Sequence, residues 1–129
     1  MEISVTNVGM DYHAVSDEGM KLSIVYGEEK PAEDTSMNPL AIFLSALGMC
    51  VAVMLRKYID AHEIDATEVR VTVSGDFEPG DEACENIAIS VEIPGEWDDR
   101  RKAAFLKVAE TCPVHHTLCT CGHVDIEIA

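Results

Sequence analysis

Basic residues are scarce in this chain. Only 9 Lys and Arg stand against 24 Asp and Glu, giving a formal net charge of −15 over 129 residues. A field of that sign repels phosphate backbones and anionic headgroups, so neither nucleic acid nor a membrane surface is an expected partner. The acids are spread along the chain rather than run together. That reads as a solvated acidic surface, with adaptation to high salt as the lesser reading. No secretory signal is seen at the start: Met1-Glu2-Ile3-Ser4 is acidic and leads into no apolar segment, so a cytoplasmic location is expected. The longest apolar run, Leu40 to Leu55, is interrupted by Ser45 and Gly48 and falls short of the roughly 20 residues that span a bilayer. It reads as a buried helix. Repeats and low-complexity segments are absent. The 5 cysteines are an odd number in a chain without an export signal. That argues against a structural disulfide framework and leaves thiol chemistry or metal binding.

What is present is enough for one domain over residues 1–129. Hydrophobic residues make up 47% of the chain and charged residues 26%, so a core and a soluble surface can coexist. A chain this short buries a modest share of its surface, and dimerisation buries more. Ile3 and Val5 alternate with polar neighbours, and Lys21 to Tyr26 is rich in β-formers. Gly9, Asp17-Glu18-Gly19 and Gly27 punctuate these short strands as turns, and Glu28 to Ser36 is a charged loop. Asn38-Pro39 then opens a helix, Asn as N-cap and Pro as first helical residue, expected to run to about His62. Between Leu40 and Leu55 this helix is apolar on every side, so it needs cover all round, from a sheet, a second helix or a second subunit.

Period-two alternation at Val69, Val71, Val73 and at Ile87, Ile89, Val91, Ile93 predicts two strands. Glu78-Pro79-Gly80-Asp81 turns between them, which makes a hairpin. A second helix is predicted from about Asp98 to Thr111, with Phe105, Val108, Ala109 and Cys112 along one face. Pro113 starts a further short turn or helix. Val124, Ile126 and Ile128 alternate with Asp125 and Glu127 as a final strand.

Cys50 falls in the middle of the apolar helix, where a cysteine reads first as a small core hydrophobe. Cys112 precedes Pro113, at a helix start whose free N–H groups and dipole are expected to lower a thiol's pKa. His115 and His116 follow and could polarise that thiol or act as ligands. Cys119, Cys121 and His123 form a tight Cys-x-Cys-x-His group, which on an extended chain shares one outward face. Closed zinc sites use wider Cys spacings, so the group reads as exposed thiols before it reads as a metal site. Cys112 with His115 or His116 could complete such a site only if the chain folds back at Gly122. Cys84, at a strand start, reads as incidental.

Two segments resemble one family. Asn38-Pro39-Leu40-Ala41-Ile42-Phe43-Leu44-Ser45-Ala46-Leu47-Gly48-Met49-Cys50 is similar to the Pro-led helix ending in Ala-Leu-Gly-x-Cys of the OsmC/Ohr family. Cys112-Pro113-Val114-His115-His116-Thr117-Leu118 is similar to its second motif, Cys-Pro-Val followed by a variable pair and Thr-Leu. The resemblance implies an α+β, OsmC-like fold: antiparallel sheets packed on a long central helix and a second helix, in an intertwined homodimer. It also implies that Cys50 and Cys112 meet near the subunit interface. In the family's peroxidases the first cysteine attacks an organic hydroperoxide and the second resolves the sulfenic acid to a disulfide, which an external dithiol reduces. No cofactor is implied. Two positions depart from the peroxidase pattern. Its Glu, nine residues before the first cysteine, is Ala41 here, and its N-terminal Arg has no counterpart, since no Arg precedes Arg56. Arg56 is about 600° around the helix from Cys50 and points elsewhere. Without that pair, a thiol in apolar surroundings has a raised pKa and low reactivity.

Three readings follow. The first is a thiol-dependent peroxidase or related oxidoreductase using Cys50 and Cys112. The second is an OsmC-like module that binds or carries a thiol-reactive ligand or persulfide. The third is a metal-binding protein built on Cys112 to His123.

Overall fold

Alternation, turn chemistry and caps set the elements of the computed structural model, which describes residues 1–128. The order is β1 (Ile3–Val8), β2 (Asp11–Ser16), β3 (Lys21–Val25), α1 (Pro39–Ala61), β4 (Arg70–Asp76), β5 (Glu85–Glu92), α2 (Asp99–Glu110) and α3 (Pro113–Thr120). By its contacts the chain divides into two compact units, Met1–Ile42 and Phe43 onward.

The first unit is an antiparallel meander of order β1-β2-β3. Val8 pairs with Asp11, so Gly9 and Met10 alone make the first turn. Gly9 takes φ +60°, a conformation that glycine adopts without a side-chain penalty. Ile3, Val5, Val8 and Leu22 are exposed.

In the second unit β4 and β5 pair antiparallel, as the predicted hairpin, with an irregularity between Ser74 and Asp76. Along β4, half-buried Val71 and Val73 alternate with exposed Arg70, Thr72 and Ser74. The core joins this sheet to the helices. Leu47, Val51, Leu55 and Ile59 are fully buried along one stripe of α1. Val71 and Ile89 pack on the core from the sheet, Val69 from just before β4, and Phe105, Val108 and Ala109 from α2. Gly48 sits where α1 meets β4: a Cβ there would lie 3.1 Å from Val73 Cγ2.

Asp98 caps α2, its Oδ1 accepting the Arg101 N–H at 2.8 Å. Phe105 then meets Trp97 and Tyr58 edge-on, at ring-centroid distances of 5.5 and 6.1 Å. The Trp97 Nε1–H donates to the Ile93 carbonyl at 2.8 Å, so its polar edge is satisfied.

One expectation holds and one changes. At 23 residues α1 is longer than its apolar run and has the length and composition of a membrane span, yet its packed stripe makes it the core helix of this unit. Its other side is bare in the single chain, where Phe43, Met49 and Val53 are exposed. The alternation at Val124, Ile126 and Ile128 forms no strand, and all three side chains are exposed. A strand needs a neighbour with free N–H and C=O groups, and neither of the two sheets takes this segment as a member.

Candidate functional site

Cys50 and Cys112 come from different elements and turn toward one core cluster. Cys50 lies midway along α1, half-buried against the core. Cys112 ends the chain path out of α2 and is the N-cap of α3, with Pro113 as first residue of that helix. Its backbone N–H is held by the Ala109 carbonyl at 3.2 Å, and its carbonyl accepts the His116 N–H at 2.9 Å. These bonds fix the thiol inward, where 0% of the residue is exposed. There it belongs to the core cluster against which Cys50 packs, and all five cysteines are free thiols.

The electrostatics of Cys112 reverse the expectation from its helix-start position. Burial pushes the thiol above its ordinary value, and the neighbouring Cys50 thiol pushes the same way. The N–H groups of His115 and Val114 pull it down, but less. The His115 N–H reaches Sγ at 3.5 Å, so the helix start does act on the sulfur. Removal from water wins because a thiolate loses more hydration in the core than a few backbone dipoles return.

No guanidinium is directed at the pair through the contacts of the described residues. Arg56 donates to Asp60 Oδ1 at 2.9 and 2.6 Å and to the Ala66 carbonyl at 2.8 Å, away from Cys50. Arg70 is held by Glu68 and Glu92, and Arg101 donates to the Tyr58 hydroxyl at 3.1 Å. Ala41, at the position of the family Glu, brings no carboxylate, and its backbone N–H donates to the Asn38 Oδ1 cap at 2.8 Å.

The remaining residues separate. Cys119 belongs to α3, Cys121 is the C-cap of that helix and His123 lies beyond it, so the three do not share an extended face. Pro113 at the helix start carries α3 through Thr120, where an extended reading of this segment places a strand-like run. Cys121 Sγ donates to the His123 carbonyl at 3.4 Å, and His123 Nε2 lies 2.8 Å from Asp125 Oδ1. No group of three or more His, Cys, Asp or Glu among the described residues is arranged to hold a metal ion. His116 is exposed. The ring of His115 turns to Cys119, its Nε2 lying 3.7 Å from that sulfur. This pairing follows from the i,i+4 spacing on a helix and is legible only once α3 is known to reach Thr120. Cys84 is half-buried against Gly75 at the hairpin irregularity.

No curated protein matches the chain. Solved structures do. An OsmC-like protein from Mycoplasma pneumoniae is 24% identical, with a TM-score of 0.67 over 92% of this chain and 86% of that one. The organic hydroperoxide resistance protein OsmC of Legionella pneumophila is 18% identical, with a TM-score of 0.60 over 93% and 90%. The organic hydroperoxide resistance protein OhrB of Bacillus subtilis is 24% identical, with a TM-score of 0.55 over 97% and 94%. These likenesses establish the α+β fold. The sequence model of OsmC-like proteins matches residues 32–128, which take in α1, the hairpin and both thiols, and the chain therefore belongs to the OsmC-like protein family.

Proposed function

We propose that the chain is a cysteine-based redox protein that reduces organic hydroperoxides slowly, with Cys50 as the attacking thiol and Cys112 as the resolving one. The observation that carries this reading is that the half-buried Cys50 packs against the core cluster that holds the fully buried Cys112. Names of structural neighbours from Legionella pneumophila and Bacillus subtilis, both organic hydroperoxide resistance proteins, support the substrate class. In the reaction the Cys50 thiolate attacks the outer peroxide oxygen. The O–O bond breaks, the alcohol leaves, and Cys50 becomes a sulfenic acid. The Cys112 sulfur then attacks the Cys50 sulfur, water leaves, and a disulfide forms that an external dithiol reduces. A buried partner thiol in the same core cluster suits the second step, because it shortens the life of the sulfenic acid. The whole chain acts as one OsmC-like domain, paired as a homodimer.

A second reading is supported by the electrostatics. Arg56, Arg70 and Arg101 are engaged elsewhere, and burial keeps Cys112 protonated. A thiol pair without a fixed cation suits a protein that binds or carries a thiol-reactive ligand or persulfide. Steady-state turnover of a panel of organic hydroperoxides and hydrogen peroxide with a dithiol reductant decides between them. The peroxidase reading expects turnover with organic hydroperoxides that is lost in Cys50→Ser. No turnover above the Cys50→Ser background leaves the carrier reading.

A further inference from the structure

A second thiol stands apart from the first pair. His115 and Cys119 occupy one face of α3, with Nε2 and Sγ 3.7 Å apart. Both line a cavity of about 490 Å³ whose walls come from α1, β5, α2 and α3 and include Leu47, Val51, Ile89 and Leu106. Cys50 and Cys112 do not line it. His115 Nδ1 is buried and has no hydrogen-bond partner. A proton on that nitrogen would be a buried donor without an acceptor, so the ring proton belongs on Nε2, facing the Cys119 sulfur. Cys121, two residues on, is exposed, lies outside the cavity and directs its thiol to the His123 carbonyl.

We propose that Cys119 and His115 form a second thiol site that takes an apolar α,β-unsaturated carbonyl compound, its alkyl chain lying in the cavity. The apolar walls select the chain, and the imidazole N–H meets the sulfur where negative charge gathers. The Cys119 sulfur pair forms a C–S bond to the β-carbon. The π pair of the C=C bond moves toward the carbonyl, and the α-carbon takes up the proton that the thiol gave up. The product is a thioether, with no net oxidation and no co-reactant. Addition suits this site better than peroxide reduction, because Cys121, the nearest thiol in sequence, is directed elsewhere and Cys119 has no resolving partner.

The test uses the full chain and two maleimides, which share this electrophilic unit and differ in chain length. N-ethylmaleimide and N-octylmaleimide are applied below stoichiometry, and labelling at each cysteine is read by peptide mass mapping. Cys121 is the internal reference for an exposed thiol. The ratio of Cys119 to Cys121 labelling should rise at least about ten-fold from ethyl to octyl, since six extra methylenes can enter the cavity. Leu106→Glu, at a wall residue that is 62% exposed, should return the octyl ratio to the ethyl value while the circular dichroism stays native. His115→Asn should slow Cys119 with both reagents and leave Cys121 unchanged. A ratio indifferent to chain length, preferential octyl labelling of Cys50, or a natively folded Leu106→Glu that keeps the octyl preference would each overturn the proposal. Repeating the series in Cys50→Ser should change nothing at Cys119, which separates this site from the hydroperoxide reading.

Discussion

The fully buried Cys112 belongs to the core cluster against which the half-buried Cys50 packs, so the two thiols differ in access while sharing one core. Mild oxidation with diamide should therefore link them. A disulfide needs Cα atoms within roughly 4.4–6.8 Å, so the linkage tests whether packing in one core brings the two thiols that close. Peptide mapping that finds only Cys119–Cys121 linkage, with Cys50 and Cys112 free, would count against the pairing. In the reduced protein a small alkylating reagent at neutral pH should reach Cys50 well before Cys112. The opposite order would mean that the helix start outweighs burial at Cys112.

The same burial gives a pH dependence. Cys112 in the folded protein holds its proton above the ordinary value of 9.0, and the unfolded chain releases it near that value. Above it the folded state binds more protons than the unfolded one, so stability falls as pH rises. The contribution is full below the unfolded pKa and fades through the window up to the folded one. Urea midpoints taken between about pH 8 and pH 11 should drop more steeply for the wild type than for Cys112→Ala, whose baseline is lower but whose slope lacks this group. Parallel slopes would mean that the thiol is hydrated.

Much of this was legible because it is written locally. Asn38-Pro39, Asp98 and Cys112-Pro113 are caps and first-turn residues, and each helix begins at them. Period two marked β4 and β5, and the apolar periodicity of the helices turned Cys50 and Cys112 toward the core. What was not legible depends on distant partners. The balance at Cys112 between burial and the helix start depends on how completely the core closes over the thiol, which its sequence neighbours do not fix. The alternation at Val124 to Ile128 is a genuine strand pattern, but pattern alone does not supply an edge to pair with. Cys119 and His115 were hidden by an extended reading of a segment that α3 takes up.

Gly48 explains one position of the first motif in physical terms. Its missing side chain lets β4 approach α1, with Val73 Cγ2 3.1 Å from where a Cβ would stand. Gly48→Val should destabilise the protein by about 1–3 kcal/mol through overpacking, although a helix interior ordinarily gains from replacing glycine. Gly48→Ala should be tolerated better once Val73→Ala removes the opposing methyls. A double-mutant cycle by urea denaturation measures that coupling, and additive effects would place the strain elsewhere.

The last expectation concerns the bare side of α1. Leu47, Val51, Leu55 and Ile59 are covered, but Phe43, Met49 and Val53 are exposed, with Met49 at 62% and Val53 at 51%. A chain carrying a formal charge of −15 has no shortage of polar residues, so apolar side chains gathered on one helix are a surface awaiting cover. The unpaired segment Val124 to Ile128 adds a second apolar stretch that a neighbouring chain could pair with. Sedimentation equilibrium at micromolar concentration should give twice the mass of the chain. Val53→Glu places a charge on the bare face without touching the covered stripe, so it should shift the protein toward monomer. It should also lower the thermal midpoint in a way that depends on protein concentration, because association stabilises only the folded state. A wild type that sediments as a stable folded monomer, or a Val53→Glu variant that stays dimeric with an unchanged midpoint, would remove α1 from the interface.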